Sequence, residues 1–308
     1  MTLYEKSERI KQAAYRLGFD ACGIAEAKHV GESETHLRNW LDNGNHAEMG
    51  YMANHFEKRC DPTLLVENTR SVIVVALNYY PEIKQPLHLP QVAYYAYGED
   101  YHDVIKEKLT KLFDIINSEI IPINGRTFVD SAPVLERYWA QQAGIGWVGK
   151  NNLIIIPNKG SFYLLAELLV DVELAYDSPM KSRCGNCHSC IDACPTNALE
   201  PYLLDSHKCL SYLTIEKRTE FSDKEPEHLH NRLFGCDICQ TVCPWNRKSQ
   251  PHQTPEFIPN PAILTYTKEQ WEDLDEDSFR SMLWKSPIKR TKFSGIERNL
   301  RRIKTTRS

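Results

Sequence analysis

The sequence predicts an α+β fold in two parts, an α/β half followed by a module built around iron–sulfur ligation. Three features predict it. Ser71 to Tyr79 is apolar on both faces, as a central strand covered on each side would be. Val104, Ile105, Leu109, Leu112, Phe113 and Ile116 fall on one helical stripe. Eight of the ten cysteines lie between Cys184 and Cys243.

Taken in order, Leu3, Ile10, Ala14 and Leu17 have near-helical spacing and precede Gly18, which marks a first helix over 3–17. A short strand is expected at Asp20 to Ala25. A second helix is expected at Glu34 to Leu41, ended by Asn43-Gly44. Cys22 and Cys60 read as ordinary buried or semi-buried thiols. After the Ser71 strand, the tyrosine-rich run Tyr94 to His102 reads as packing where a strand meets a helix, and the helix continues to about Glu119. Arg126 to Asp130 is β-rich, and Pro133 suits the first turn of a following helix. That places Asp130 at a strand end, the position from which a carboxylate either caps a helix or works as an acid or base.

Gly144, Gly146 and Gly149 form neither a dinucleotide fingerprint nor a P-loop, and suggest backbone passing close to something flat. Asn152 to Ile156 and Phe162 to Val170 read as strands joined by a Pro157–Gly160 turn. The boundaries expected from these shifts are 1–178, 179–250 and 251–308, the last a helical segment with a basic tail. Its acidic run Glu272 to Asp277 reads as a solvated helix face.

The cysteines carry the sharpest chemistry. Cys184-x2-Cys187-x2-Cys190-x3-Cys194-Pro195 has the spacing of the bacterial ferredoxin run, in which three thiolates hold one [4Fe–4S] cluster and the fourth crosses to a second. Cys209 and Cys236-x2-Cys239-x3-Cys243-Pro244 complete the number. By that crossing rule Cys184, Cys187, Cys190 and Cys243 hold cluster one, and Cys194, Cys209, Cys236 and Cys239 hold cluster two. Thiolate is the soft, charged ligand such clusters require. A zinc knuckle takes two Cys pairs, so the x2-x2 triple has one sulfur too many for it.

The chain has 308 residues with 42% hydrophobic and 25% charged side chains, enough for a substantial core. Its polar start lacks a signal peptide's apolar stretch and no run approaches a membrane span, so a cytoplasmic protein with reduced thiols is expected. Net charge is −4, yet Lys285 to Ser308 holds nine Lys or Arg against Glu297. That tail is a candidate contact for an anionic polymer.

Together with the cysteines, the segments Glu57-Lys58-Arg59, Asp100-Tyr101-His102, Val129-Asp130, Ala143 to Gly146, Lys150-Asn151, Gly160-Ser161, Leu165-Ala166-Glu167 and Asn231 to Asp237 resemble the bacterial epoxyqueuosine reductases over nearly the whole chain. The resemblance implies a nitroreductase-like α/β module that holds cobalamin, fused to a ferredoxin-like module with two [4Fe–4S] clusters. It also implies the last step of queuosine biosynthesis. The epoxide of epoxyqueuosine, at the wobble position of a tRNA with a GUN anticodon, is reduced by Co(I) cobalamin with electrons relayed through the clusters from flavodoxin or ferredoxin.

By the resemblance, Asp130 is the proton donor, with a pKa expected to be raised by desolvation beside the corrin. Arg59, Asp130, Ile154, Leu165, Ser211 and Asp237 are its cofactor neighbours. The chain has no Asp-x-His-x-x-Gly motif, so base-off cobalamin without a histidine ligand is expected. Lys217, Arg218, Lys289, Arg290, Arg298 and Arg301 are the expected tRNA contacts, and a monomer is expected. Many members continue into a HEAT-like C-terminal domain, whereas this sequence ends at Ser308, the short form. A corrinoid reductive dehalogenase and an iron–sulfur electron-transfer subunit are the competing readings.

Overall fold

The computed structural model describes residues 1–223 and 225–303. Four strands form an antiparallel sheet: β1 (Ala21–Glu26), β2 (Ser71–Asn78), β3 (Gly125–Phe128) and β4 (Tyr163–Val170), in spatial order β1-β2-β4-β3. All eight residues of β2 are buried, which agrees with the central strand expected from its unbroken apolar run. Period-two alternation divides its side chains between two cores.

On one face, Ile73, Val75 and Leu77 meet Ile10, Ala13 and Ala14 of α1 (Leu3–Arg16), and Ile105, Leu109 and Leu112 of α4 (Tyr101–Ile115). On the other, Val72, Val74 and Ala76 meet Leu37 of α2 (Glu32–Asp42), Cys60 of α3 (Phe56–Cys60), and Trp139 and Ala140 of α5 (Glu136–Gln142). Cys22 and Cys60 are both buried, as expected. The helix from Tyr101 turns at its end into a five-residue π segment, Ile116–Ile120. The four tyrosines Tyr94, Tyr95, Tyr97 and Tyr101 pack on one another and on Phe162 and Phe234 through tilted and edge-on rings.

One local expectation is corrected. Pro133 does not open a helix; α5 begins at Glu136, and residues 131–135 form an irregular connection. Gly146 and Gly149 pass close to the protein's own backbone and side chains. A Cβ on Gly146 would stand 2.3 Å from the Ile155 carbonyl oxygen, and one on Gly149 would stand 2.7 Å from Ile155 Cδ1.

A third core lies beyond the sheet. Leu210 and Leu213 of α6 (Leu210–Ile215), Leu233 and Phe234 pack with Phe279 and Leu283 of α7 (Glu276–Leu283) and with Ile296 and Leu300 of α8 (Lys292–Arg301). Val92 and Tyr97 from the first half join it, and Arg232–Phe234 pairs in parallel with Gln91–Val92. The acidic run before α7 is exposed, as expected, and Asp275 caps the helix by accepting from the Ser278 backbone N–H at 2.7 Å. No helix among the described residues is long and apolar enough to cross a membrane.

Candidate active site and metal centres

Asp130 stands two residues beyond the end of β3, with a left-handed φ of 53°. This is a conformation that aspartate tolerates better than most side chains. Glu136 Oε1 accepts the Asp130 backbone N–H at 2.7 Å and ties the irregular connection to α5. The Asp130 carboxylate accepts the Tyr101 hydroxyl at 2.6 Å and lies 3.3 Å from His102 Nε2. His102 Nδ1 is 2.7 Å from Asp100 Oδ1, and Asp100 Oδ2 is 2.9 Å from Lys289 Nζ. Asp100 is also the N-cap of α4, which fixes the start of the helix that carries Tyr101 and His102.

An imidazole with a carboxylate at each nitrogen is an imidazolium. Burial lowers the His102 pKa, but its bonds to Asp100 and Asp130 outweigh that and lift it to about 9. Burial raises the Asp100 pKa, and His102 and Lys289 bring it down to about 2. The Asp130 value runs against the expectation from sequence. Burial pushes it up, yet the hydrogen bonds from His102 and Tyr101, with the charges of His102 and Arg290, leave it below the ordinary range. Asp130 is therefore ionised at neutral pH and the available proton sits on His102. Sequence reasoning singled out Asp130 and missed the histidine, although the pair Asp100 and His102, two residues apart at a helix start, carried the signal.

Beneath Asp130 lie two further carboxyls. Burial and the Asp130 charge raise the Glu136 pKa to about 8. Glu167, in the middle of β4 and fully buried, has no hydrogen-bond partner among the described residues on either carboxyl oxygen. Burial, with the charges of Glu136 and Asp130, holds its pKa well above the ordinary value.

The cysteines fall into two groups of four. Cys184, Cys187, Cys190 and Cys243 line one cavity of about 280 Å³ with Lys150, closed below by Ile155 and Trp245. Lys150 Nζ donates to the carbonyls of Gly185 and Cys187 at 2.7 and 2.9 Å and fixes that loop. Burial raises the thiol pKa values of Cys209, Cys236 and Cys239, and each also feels the charge of another member of its group, Cys194, Cys209 or Cys236. Cys239 also feels the charge of Cys190, so the two groups adjoin.

The expected cofactor neighbours divide. Ile154 and Leu165 are buried in the core that also contains Cys60. Arg59 is 8% exposed; its Nη2 donates to the Tyr51 carbonyl at 2.9 Å and its Nε has no partner among the described residues. Two other buried polar atoms without a partner, His46 Nδ1 and Ser206 Oγ, lie where residues 40–60 meet 204–217. There Ser206 N–H donates to the Asn45 carbonyl and the Tyr212 hydroxyl accepts the Glu48 N–H. Ser211 lies on α6 and is half-buried. Asp237 accepts the Tyr94 N–H at 2.8 Å, and burial pushes its pKa up to about 6. No hydrogen bond or ion pair among the described residues joins Arg59, Ile154, Leu165, Ser211 and Asp237 to one another.

The expected tRNA contacts also divide. Lys217 is 7% exposed and paired with Glu48 and Glu225. Arg298 is 3% exposed, and its guanidinium donates to the carbonyls of Leu213, Lys217 and Thr219. Their burial leaves neither a surface to offer RNA, a correction to the expectation. Arg218, Lys289, Arg290 and Arg301 are exposed. Arg290 pairs bidentately with Glu216 at 2.6 and 3.1 Å, and its charge reaches Asp130. Residues 304–308 of the basic tail lie outside the described residues.

Comparison with known proteins places this geometry. Residues 59–131 match the family profile described as epoxyqueuosine reductase QueG, DUF1730, and residues 183–246 match a 4Fe-4S double cluster binding domain. The epoxyqueuosine reductase of Cellulophaga algicola is 48% identical over 300 residues, covering 97% of this chain and 98% of the relative. That of Pseudomonas aeruginosa is 42% identical over 305 residues, covering 96% and 83%. Among solved structures, an epoxyqueuosine reductase with an epoxyqueuosine-modified tRNA-Tyr stem loop superposes with a TM-score of 0.87 at 30% identity, covering 97% of this chain and 80% of that one. The Bacillus subtilis enzyme, with its catalytic aspartate loop swung out of the active site, has a TM-score of 0.87 at 29% identity, covering 97% and 81%.

Proposed function

Because the chain belongs to the epoxyqueuosine reductase family, we propose that it reduces epoxyqueuosine in tRNA with Asp130 at the reacting centre and His102 as the proton store behind it. The observation that supports this most directly is the linear array Lys289, Asp100, His102, Asp130, each within ion-pair reach of the next. Removing an epoxide oxygen as water to leave an alkene takes two electrons and two protons. Side chains supply only the protons.

The double-cluster segment accommodates two [4Fe–4S] clusters, one on Cys184, Cys187, Cys190 and Cys243 and the other on Cys194, Cys209, Cys236 and Cys239. For cobalamin, the buried donors without protein partners at His46, Arg59 and Ser206 suit a ligand rich in amides with one phosphate, and Ile154, Leu165, Ser211 and Asp237 would complete its surroundings. When bound, cobalamin supplies a strongly reducing, nucleophilic cobalt that the clusters recharge one electron at a time from a flavodoxin or ferredoxin.

The protein's own part is proton delivery and orientation. Tyr101 donates to one oxygen of Asp130 and fixes the carboxylate's orientation, leaving His102 to supply the proton. As the epoxide ring opens, one proton passes from His102 Nε2 through Asp130 Oδ2 to the oxygen and makes it a hydroxyl. Asp100 and Lys289 then re-establish the imidazolium from solvent, and a second proton follows the same path as that hydroxyl departs as water. Arg290 adds a fixed positive charge beside Asp130 that favours an anionic substrate. The substrate is a tRNA with a GUN anticodon, the working compartment is the cytoplasm, and the protein acts as a monomer.

The test is anaerobic reconstitution with iron, sulfide and cobalamin, followed by nucleoside chromatography of treated tRNA. Queuosine should replace epoxyqueuosine. With Asp130→Asn, turnover should fall by about 10²–10⁴-fold at unchanged iron and cobalt content. An Asp130→Asn protein that turns over at the wild-type rate would refute the assignment.

A further inference from the structure

Beside the proton array, α7 and the start of α8 enclose a second cavity of about 440 Å³. Its floor is Phe279, Leu283 and Phe293, with the two phenylalanine rings 5.6 Å apart. Its wall is Trp284. Of the chain's six tryptophans, Trp284 is 66% exposed, while Trp139, Trp147 and Trp271 are each at most 1% exposed. A soluble surface seldom presents the largest apolar side chain in a concave site without an occupant.

The rim has an excess of cations. Lys289, Lys292 and Arg280 line it with Glu276, and Lys285 Nζ, paired with Glu99 at 3.3 Å, lies 5.2 Å from the Trp284 ring centroid. Arg280 is tied to Glu276, and Lys289 to Asp100. Lys292 is exposed and has no ion pair among the described residues. Lys289 belongs both to this rim and to the proton array, and the charge of its neighbour Arg290 is felt at Asp130.

We infer that this pocket takes an unpaired base of the RNA loop beside the reacting nucleotide, with the base stacked on Trp284 and the flanking phosphates on Lys292 and Lys289. The inference rests on the reading of the substrate as tRNA and adds a place where a second nucleotide is held. Charge complementarity identifies the occupant. An aromatic wall with a cationic rim matches the flat base and anionic backbone of a single strand, whereas a protein helix would leave the lysines facing apolar side chains. Phosphate at Lys289 would compete with Asp100 for that ammonium, so filling the pocket would be felt at His102.

The test uses the reconstituted holoprotein and a fluorescent anticodon stem loop, with 2-aminopurine placed in turn at each loop position. Trp284→Ala should weaken binding about tenfold, the scale of one base–aromatic stack. It should also restore 2-aminopurine emission at one loop position other than the wobble, while Trp284→Phe stays within about threefold of wild type. Lys292→Ala should reduce the slope of log affinity against log salt by about one. If wild-type protein binds the stem loop with a steep salt dependence and Trp284→Ala binds equally well, with unchanged 2-aminopurine emission, the pocket inference is wrong and the substrate reading stands. If the wild-type protein neither binds nor converts the RNA, both fall together.

Discussion

Replacing His102 by glutamine separates proton supply from hydrogen bonding, since an amide still reaches Asp130 and carries no mobile proton. The two carboxylates lift the imidazole from 6.5 to about 9, an interaction of about 3 kcal/mol at 1.36 kcal/mol for each pH unit. The Asp130 side chain is 54% exposed and that of Asp100 only 9%. Solvent screening therefore leaves about 1 kcal/mol to the Asp130 contact, and Asp100 supplies the rest. The sign follows from the folded pKa lying above the unfolded one. The stabilisation is complete below pH 6.5 and is lost as pH rises through about 9. The same window governs supply of the proton, so single-turnover conversion of epoxyqueuosine, followed by nucleoside chromatography, should decline above about pH 9. In His102→Gln the rate should fall about 10²-fold and the alkaline limb should vanish. A variant that keeps the wild-type rate within threefold and shows the same alkaline limb would refute the proton path.

Glu167→Gln removes a buried carboxyl that the fold keeps protonated. Because its folded pKa is raised, the native state binds the extra proton, and wild-type stability should fall with pH by up to about 1.36 kcal/mol for each pH unit above the unfolded value. Thermal melts should show a flatter pH dependence in the variant and a higher midpoint near pH 8; a parallel pair of curves would contradict this. Cys239→Ala should lower iron after reconstitution from about eight to about four atoms for each chain, and Cys184→Ala combined with Cys243→Ala should cost no more iron than either alone. Loss of all iron on combining those two would overturn the ligand sets. Arg298→Ala leaves three carbonyls of residues 213–219 without their donor, and denaturant unfolding should show a loss of about 3 kcal/mol; a loss under 1 kcal/mol would mean the brace is not structural.

The fold was legible where periodicity and burial agree. Ser71–Asn78 announced a doubly covered strand because every position between its two polar ends is apolar, and α4 was legible from one unbroken stripe. The cysteine spacing carried both metal groups, because short spacers leave a thiolate few places to go. The Asp130 connection was not legible in detail. Pro133 looks like a helix start, but helix begins only at Glu136, whose side chain is engaged in holding the Asp130 N–H. The sign of the Asp130 pKa shift was missed for a related reason. Desolvation can be anticipated from a strand end near a core, whereas the opposing charges of His102 and Arg290 come from positions 28 residues before it and 160 after it. The basic segment was legible only as charge. Composition does not reveal that Arg298 points inward while Lys292 points out.

The crossing of the cysteine runs bears on how the metal centres assemble. In the proposed ligand sets each group of four draws on both the run that begins at Cys184 and the run that ends at Cys243, with 41 residues of chain between Cys194 and Cys236. Whichever cluster forms first must close that span, at an entropic cost of about 3 kcal/mol from loop length alone. The second finds its thiolates already gathered and meets almost none of it. Loading should therefore be cooperative. At limiting iron the population should split between chains with no metal and chains with both clusters, and half-filled molecules should be scarce.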